Sequence, residues 1–168
     1  MAIKEILLLG NPILNQKCEY AEKNETALIK QIFNDLHDTM MNFRSKYNAG
    51  RAIAAPQIGV LKRIIYMNID KPVEIINPVL TDLSREMITL WDDCMSFPEL
   101  LVKVKRHKSC KINFYDSDWN HHEMNLVDDL SELLQHEFDH LNGILATERA
   151  IDKNSFAWRS KREFLINL

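Results

Sequence analysis

Between Ile64 and Val127 the sequence breaks into short runs of alternating apolar and polar residues set apart by turn signals. No other feature limits the fold as strongly. Ile64–Ile69 is strand-like, and "VEIINPVL" and "EMITLW" read as further short strands. Val102 and Val104 alternate with Lys103 and Lys105, and Cys110, Ile112 and Phe114 alternate with polar neighbours. "DSDWN" is a turn and "HHEMNLV" a return strand. Strands at hairpin spacing, rather than strand–helix alternation, point to α+β with short antiparallel sheets.

Helical patterns flank this region. Residues 24–43 place Leu28, Ile29, Ile32, Phe33, Leu36 and Met40 on one stripe, with Asn24 as the expected N-cap. A second helix is expected from near Asp129, with Asp129 and Glu132 at capping-box spacing and Gly143 just past its end. Its apolar side is Leu130, Leu133, Leu134, Phe138 and Leu141. "NSFAWRSKREFLINL" reads as a short C-terminal helix, and the opening "MAIKEILLLGNP" as a strand. Gly50 to Gly59 is rich in small residues, and Pro56 rules out a regular central strand there. The expected fold is one α+β domain over residues 1–168. Its short antiparallel sheets pack around a central helix, with an N-terminal helix and a C-terminal helix beside them.

A chain of 168 residues buries a core without staples. Its 21 basic and 24 acidic side chains give a net charge of −3, so no basic face for DNA or other nucleic acid is implied. No apolar run approaches the ~20 residues of a membrane span, and the opening apolar patch is too short for a signal-peptide core. The expected location is the cytoplasm. Cys18, Cys94 and Cys110 are an odd, scattered set, which argues against a disulfide framework. The alternation makes Cys110 an inward packing residue.

Within the second helix lies His136-Glu137-Phe138-Asp139-His140. Residues four apart share a helical face, so His136 and His140 can grip one cation, while Glu137 is turned by about 100° toward a water. The bland alternative is a helix with two half-exposed histidines. A catalytic ion of the zinc type takes three protein ligands and keeps one position open. Cys94, Cys110, Cys18, His107 or a downstream residue are the candidates for the third.

Three stretches, in order, resemble the peptide deformylase family. Gly50-Arg51-Ala52-Ile53-Ala54-Ala55-Pro56-Gln57-Ile58-Gly59 is similar to its Gly-x-Gly-φ-Ala-Ala-Pro-Gln-φ-Gly motif, where φ is an apolar residue. Asp92-Asp93-Cys94-Met95-Ser96 is similar to Glu-Gly-Cys-φ-Ser. Gln135 to Gly143 matches Gln-His-Glu-φ-Asp-His-Leu-x-Gly throughout. The resemblance implies Cys94, His136 and His140 as ligands of one divalent metal ion. That ion would be ferrous iron, replaceable by zinc, nickel or cobalt. It also implies Glu137 as the acid/base, and the Gln57 side-chain amide with the Met95 backbone N–H as oxyanion donors. The implied reaction removes formyl from N-formylmethionyl nascent peptides and releases formate.

The chain departs from the family where the substrate should lie. Asp92 stands for glutamate, Asp93 for the glycine before the ligand cysteine, and Ala52 for the second glycine. Arg51 occupies a variable site that is commonly aliphatic. Gly50, Arg51, Ala52, Asp92 and Asp93 are therefore the expected substrate-side residues, with Asp92 and Asp93 free to pair with Arg51 or Arg106. Two other readings stay open: an amidase acting on a different N-formyl or N-acyl amine, and a non-catalytic binding protein of the same fold. The resemblance also implies a weak ribosome contact through the C-terminal helix, although Arg159, Lys161 and Arg162 beside Glu163 suit a solvated amphipathic helix better.

Overall fold

Residues 2–165 are described in a computed structural model. The opening segment is a strap, not the expected strand: residues 2–8 join no sheet. Instead the Leu7 N–H donates to Gln57 O at 2.8 Å and the Leu9 N–H to Ser96 O at 2.9 Å. Both acceptors belong to loops rather than to a sheet edge, so no ladder forms and two distant loops are tied together.

Helix α1 spans Thr26–Tyr47. Asn24 does not cap it. It lies within a 3-10 turn, Lys23–Glu25, in which the Glu25 carboxylate accepts the Glu22 N–H at 2.8 Å. The buried stripe is Ile29, Ile32, Phe33, Leu36, Met40 and Phe43. Leu28 falls outside it and is exposed, because 100° per residue puts it about 90° from the middle of that stripe.

β1 (Ala52–Ala54) runs into a 3-10 turn, Ala55–Ile58, as the proline demands. The strands that follow are β2 (Ile64–Asn68), β3 (Pro72–Thr81), β4 (Met87–Asp93), β5 (Leu100–His107), β6 (Ser109–Tyr115) and β7 (His121–Val127). β8 (Phe156–Trp158) closes the set. Their pairings are all antiparallel, in a five-stranded sheet ordered β1-β2-β3-β6-β7 and a three-stranded sheet ordered β4-β5-β8. In β3 the register slips between Ile76 and Val79, where Pro78 has no N–H to give. Asn77 there adopts φ 51° and holds Ala21 through two hydrogen bonds of 2.9 Å.

Helix α2 covers Asp128–Leu141 and packs on β1, β2, β5, β6 and β7. Its polar face is as buried as its apolar one: Ser131, Gln135, His136, Glu137, Asp139 and His140 are all buried. That makes it the central element. The expected capping box is absent. The helix starts at Asp128 without a side-chain cap, Asp129 bonds Arg51, and Glu132 turns inward.

Gly143, past the end of α2, has φ +71°, and a Cβ there would sit 2.6 Å from Asn15 O and 2.7 Å from Asn15 C. Backbone does not yield as a side-chain tip does. Gly143→Ala is expected to cost at least about 2 kcal/mol in urea unfolding, since left-handed strain and the clash add.

The expected C-terminal helix is realised only as a 3-10 helix, Arg159–Leu165, behind a strand. Leu100↔Trp158, Leu101↔Ala157 and Val102↔Phe156 pair β8 with β5, and Arg159–Leu165 continues as a 3-10 turn. The unpaired edge of β5 takes this segment as a strand, which a local apolar pattern does not reveal. The last three residues of the expected helix, 166–168, lie outside the described residues.

Candidate metal centre

Cys94 follows the last residue of β4, and α2 supplies His136 and His140 from one face. Cys94 Sγ lies 3.2 Å from His140 Nε2, and the two Nε2 atoms are 3.2 Å apart. All three residues are buried. Zinc-type bonds of about 2.0–2.1 Å to nitrogen and 2.3 Å to sulfur give tetrahedral edges of roughly 3.3–3.6 Å, so the set fits one divalent ion. Cys18 and Cys110 lie apart as buried free thiols, and among the described residues there is no disulfide.

The surroundings act in opposite directions on the two rings. Burial works against charge on His136, but Asp92 and Cys94 outweigh it and hold the ring well above its ordinary value. His140 is pushed well below its ordinary value, first by burial and then by His136. His136 Nδ1 lies 2.9 Å from Asp92 Oδ2, which assigns that nitrogen the proton and leaves Nε2 free to ligate.

Asp92 is also 3.0 Å from Arg106 Nη2. Arg106 continues to Asp139, and Asp139 to Arg149 at 2.7 Å. Burial opposes ionisation of Asp92, yet His136 and Arg106 hold it down at about 2. Arg106 stands in phase with buried Val102 and Val104 on β5, so its place in the core was readable from the alternation. Asp139 stood out only as a matching position of the family motif, because a helical carboxylate otherwise looks like a surface group.

Glu137 is buried, and its Oε2 has no partner among the described residues. Burial pushes it up to about 7. Gln57 Oε1 accepts the Ala54 N–H at 2.9 Å, which fixes the amide so that Nε2 faces Cys94 Sγ at 3.6 Å and Ser96 Oγ at 3.3 Å. The Ser96 N–H points at the same sulfur from 3.4 Å. Among the described residues the Met95 N–H meets no acceptor. The N-terminal strap anchors both loops, since its acceptors are Gln57 O and Ser96 O.

Gln57, Cys94, Met95, His136 and Glu137 line a cleft of about 290 Å³. Gly50, Arg51, Ala52, Asp92 and Asp93 border it with Cys94. Asp92 turns its carboxylate to His136 and Arg106. Asp93 pairs with Arg159, not with Arg51 or Arg106, so the C-terminal segment forms part of the wall. Arg51 takes Asp129 and stands 3.7 Å from Glu132. Sequence reasoning missed Glu132 and Arg159 as cleft residues; the first was read as a helix cap, the second as a solvated helix.

The family profile for polypeptide deformylase matches residues 3–156. A peptide deformylase of Pseudothermotoga lettingae is 35% identical over 162 residues, covering 95% of this chain and 90% of the relative. The crystal structure of the Thermotoga maritima peptide deformylase superposes with a TM-score of 0.83 at 29% identity, covering 90% of this chain and 100% of that one. A Met-Ala-Ser-bound class I type b peptide deformylase of Acinetobacter baumannii gives 0.80 at 26% identity, over 88% and 98% of the two chains.

Proposed function

The chain belongs to the peptide deformylase family, and on that premise we propose how its cleft removes the formyl group from N-formylmethionyl peptides and releases formate. The observation that carries this reading is the meeting of Cys94 Sγ, His136 Nε2 and His140 Nε2 beside an unpartnered Glu137 carboxyl. Cys94, His136 and His140 hold one divalent ion, ferrous iron by family likeness, with zinc, nickel or cobalt able to replace it. Bound there, the ion lowers the pKa of a water and polarises a carbonyl oxygen.

The chain's own residues do the rest. Glu137 takes a proton from the attacking water as the new bond forms at the formyl carbon. Gln57 Nε2–H and the Met95 N–H receive the negative oxygen, and one such donor is worth about 3 kcal/mol. Glu137 then gives its proton to the departing amine as the C–N bond breaks. Formate and a free N-terminal amine result. The Met-Ala-Ser complex of the Acinetobacter relative supports a peptide amine as the leaving half.

Asp92 acts through His136 and is a positioning residue. Asp92→Asn is expected to weaken metal binding by about tenfold or more, read by competition with a chromophoric chelator. Among the described residues no helix is long and apolar enough to cross a membrane, and we assign the enzyme to the cytoplasm, where nascent chains are made. The weak ribosome contact implied by family likeness would fall on the C-terminal segment, a strand, Phe156–Trp158, followed by a 3-10 helix, Arg159–Leu165.

Formate release from formyl-Met-Ala-Ser tests the reaction. Chelation is expected to stop it and ferrous or cobalt ion to restore it; release unaffected by chelation would overturn the metal assignment.

A further inference from the structure

Behind α2 lies a second cavity, of about 340 Å³, which shares no lining residue with the cleft at Cys94. Along the helix the cleft takes Glu132, Leu133, His136 and Glu137, whereas the second cavity takes Gln135, Phe138, Asp139 and Asn142. At 100° per residue those two sets face directions roughly 140° apart. The hydrolytic reading gives this second cavity no task.

Its wall has two chemical halves. Leu80, Leu83, Met87, Phe138 and Ile144 make the apolar half, and Leu83 and Met87 are exposed. Lys105, Arg106 and Arg149 make the charged half, against a single lining carboxylate, Asp139. That carboxylate is shared. Arg106 Nη1 donates to it, as do Arg149 Nε at 3.2 Å and Arg149 Nη2 at 2.7 Å. Arg106 also reaches Asp92 at 3.0 Å, and its Nε is buried without an acceptor among the described residues. Lys105 is exposed and makes no ion pair among the described residues. Positive charge is therefore in surplus beside an apolar hollow.

Ligand cavities of this size are mostly apolar, with a few polar groups that fix orientation. Bonds from Lys or Arg to a carboxylate are about twice as strong as neutral hydrogen bonds. An uncharged apolar ligand would leave the cations unanswered. A bare inorganic anion would leave Leu83 and Met87 in water. A ligand with an apolar tail and one carboxylate meets both halves.

We propose that this cavity is a second binding site, separate from the cleft at Cys94, for a medium-chain aliphatic monocarboxylate. The carboxylate lies against Lys105 and Arg149, and the chain covers Leu83 and Met87.

The test is equilibrium dialysis of octanoate against the cobalt-loaded enzyme, with the tripeptide Met-Ala-Ser in excess to fill the cleft. One equivalent per chain is expected to bind, with the cobalt absorbance unchanged. Octanamide keeps the tail and loses the charge, and acetate keeps the charge and loses the tail. Each should compete at least about tenfold more weakly than octanoate itself. Lys105→Met and Arg149→Met should each weaken octanoate several-fold. Leu83→Asp, which sets a like charge where the tail lies, should abolish binding. Lys105 and Leu83 are exposed, so these two replacements keep the fold where Arg149→Met does not. Absence of octanoate binding, octanamide competing as well as octanoate, or affinities that the variants leave unchanged would overturn the site. A cobalt spectrum that shifts with octanoate would overturn it too, because the carboxylate would then sit on the metal.

Discussion

Glu137→Gln is expected to lower kcat by about 10³-fold while leaving the metal in place. Glutamine keeps the shape and the polar contacts of the carboxyl but can neither accept the water's proton nor hand it to the amine. Glu137 is turned away from the imidazole face, so its replacement leaves all three ligand atoms where they are. KM should change little, because Glu137 acts on the reacting atoms and not on the peptide. A drop in kcat with an equal loss of metal would instead make Glu137 a structural support of the site.

The same substitution has a readout that needs no turnover. In the metal-free protein the folded Glu137 carboxyl titrates at about 7, against 4.5 for a free one. The fold therefore prefers the protonated form. The stability this contributes is complete below about pH 4.5 and is lost as pH rises through about 7. Thermal melts of wild type and Glu137→Gln should diverge across that window, the variant becoming relatively more stable toward neutral pH, by up to about 3 kcal/mol. Parallel curves would mean that the carboxyl is not held in a desolvated setting.

Cys94→Ser is expected to remove the metal and the activity together. A supporting residue such as Asp92 costs about 10–100-fold in affinity when replaced, and loss of a ligand should exceed that. The serine oxygen is shorter-reaching and far less acidic than a thiol, so it makes a poor ligand at neutral pH. The Ser96 N–H and Gln57 Nε2, both aimed at the sulfur, would be left facing a weaker acceptor. Thermal stability of the metal-free variant should stay near that of the metal-free wild type, since Cys94 is small and the β4–β5 hairpin does not depend on it. A variant that keeps its metal would place the third ligand elsewhere.

Period-two spacing made the hairpins readable between Ile64 and Val127, because each face of a strand keeps one solvent. The helix with His136 and His140 was readable for the parallel reason at period 3.6. What failed were features set by distant partners. β8 exists because β5 has an open edge, and the N-terminal strap exists because Gln57 and Ser96 present carbonyls; neither requirement is written in the local residues. The site divides in the same way. The two proposed histidine ligands and the proposed acid/base share one helical turn, and spacing alone suggests them. Cys94, 42 residues upstream of His136, came only from likeness to a family, since a strand-end cysteine otherwise reads as a buried thiol. Glu132 was hidden by its resemblance to a cap, and only packing shows that it faces the cleft.

In the proposed site one thiolate and two imidazoles share a cation with room left for solvent. Cobalt titration of the metal-free protein, followed by absorbance, tests this most directly. One equivalent per chain should bind and produce a thiolate-to-cobalt charge-transfer band that Cys94→Ser abolishes. Binding without that band, or a band that survives the substitution, would contradict it.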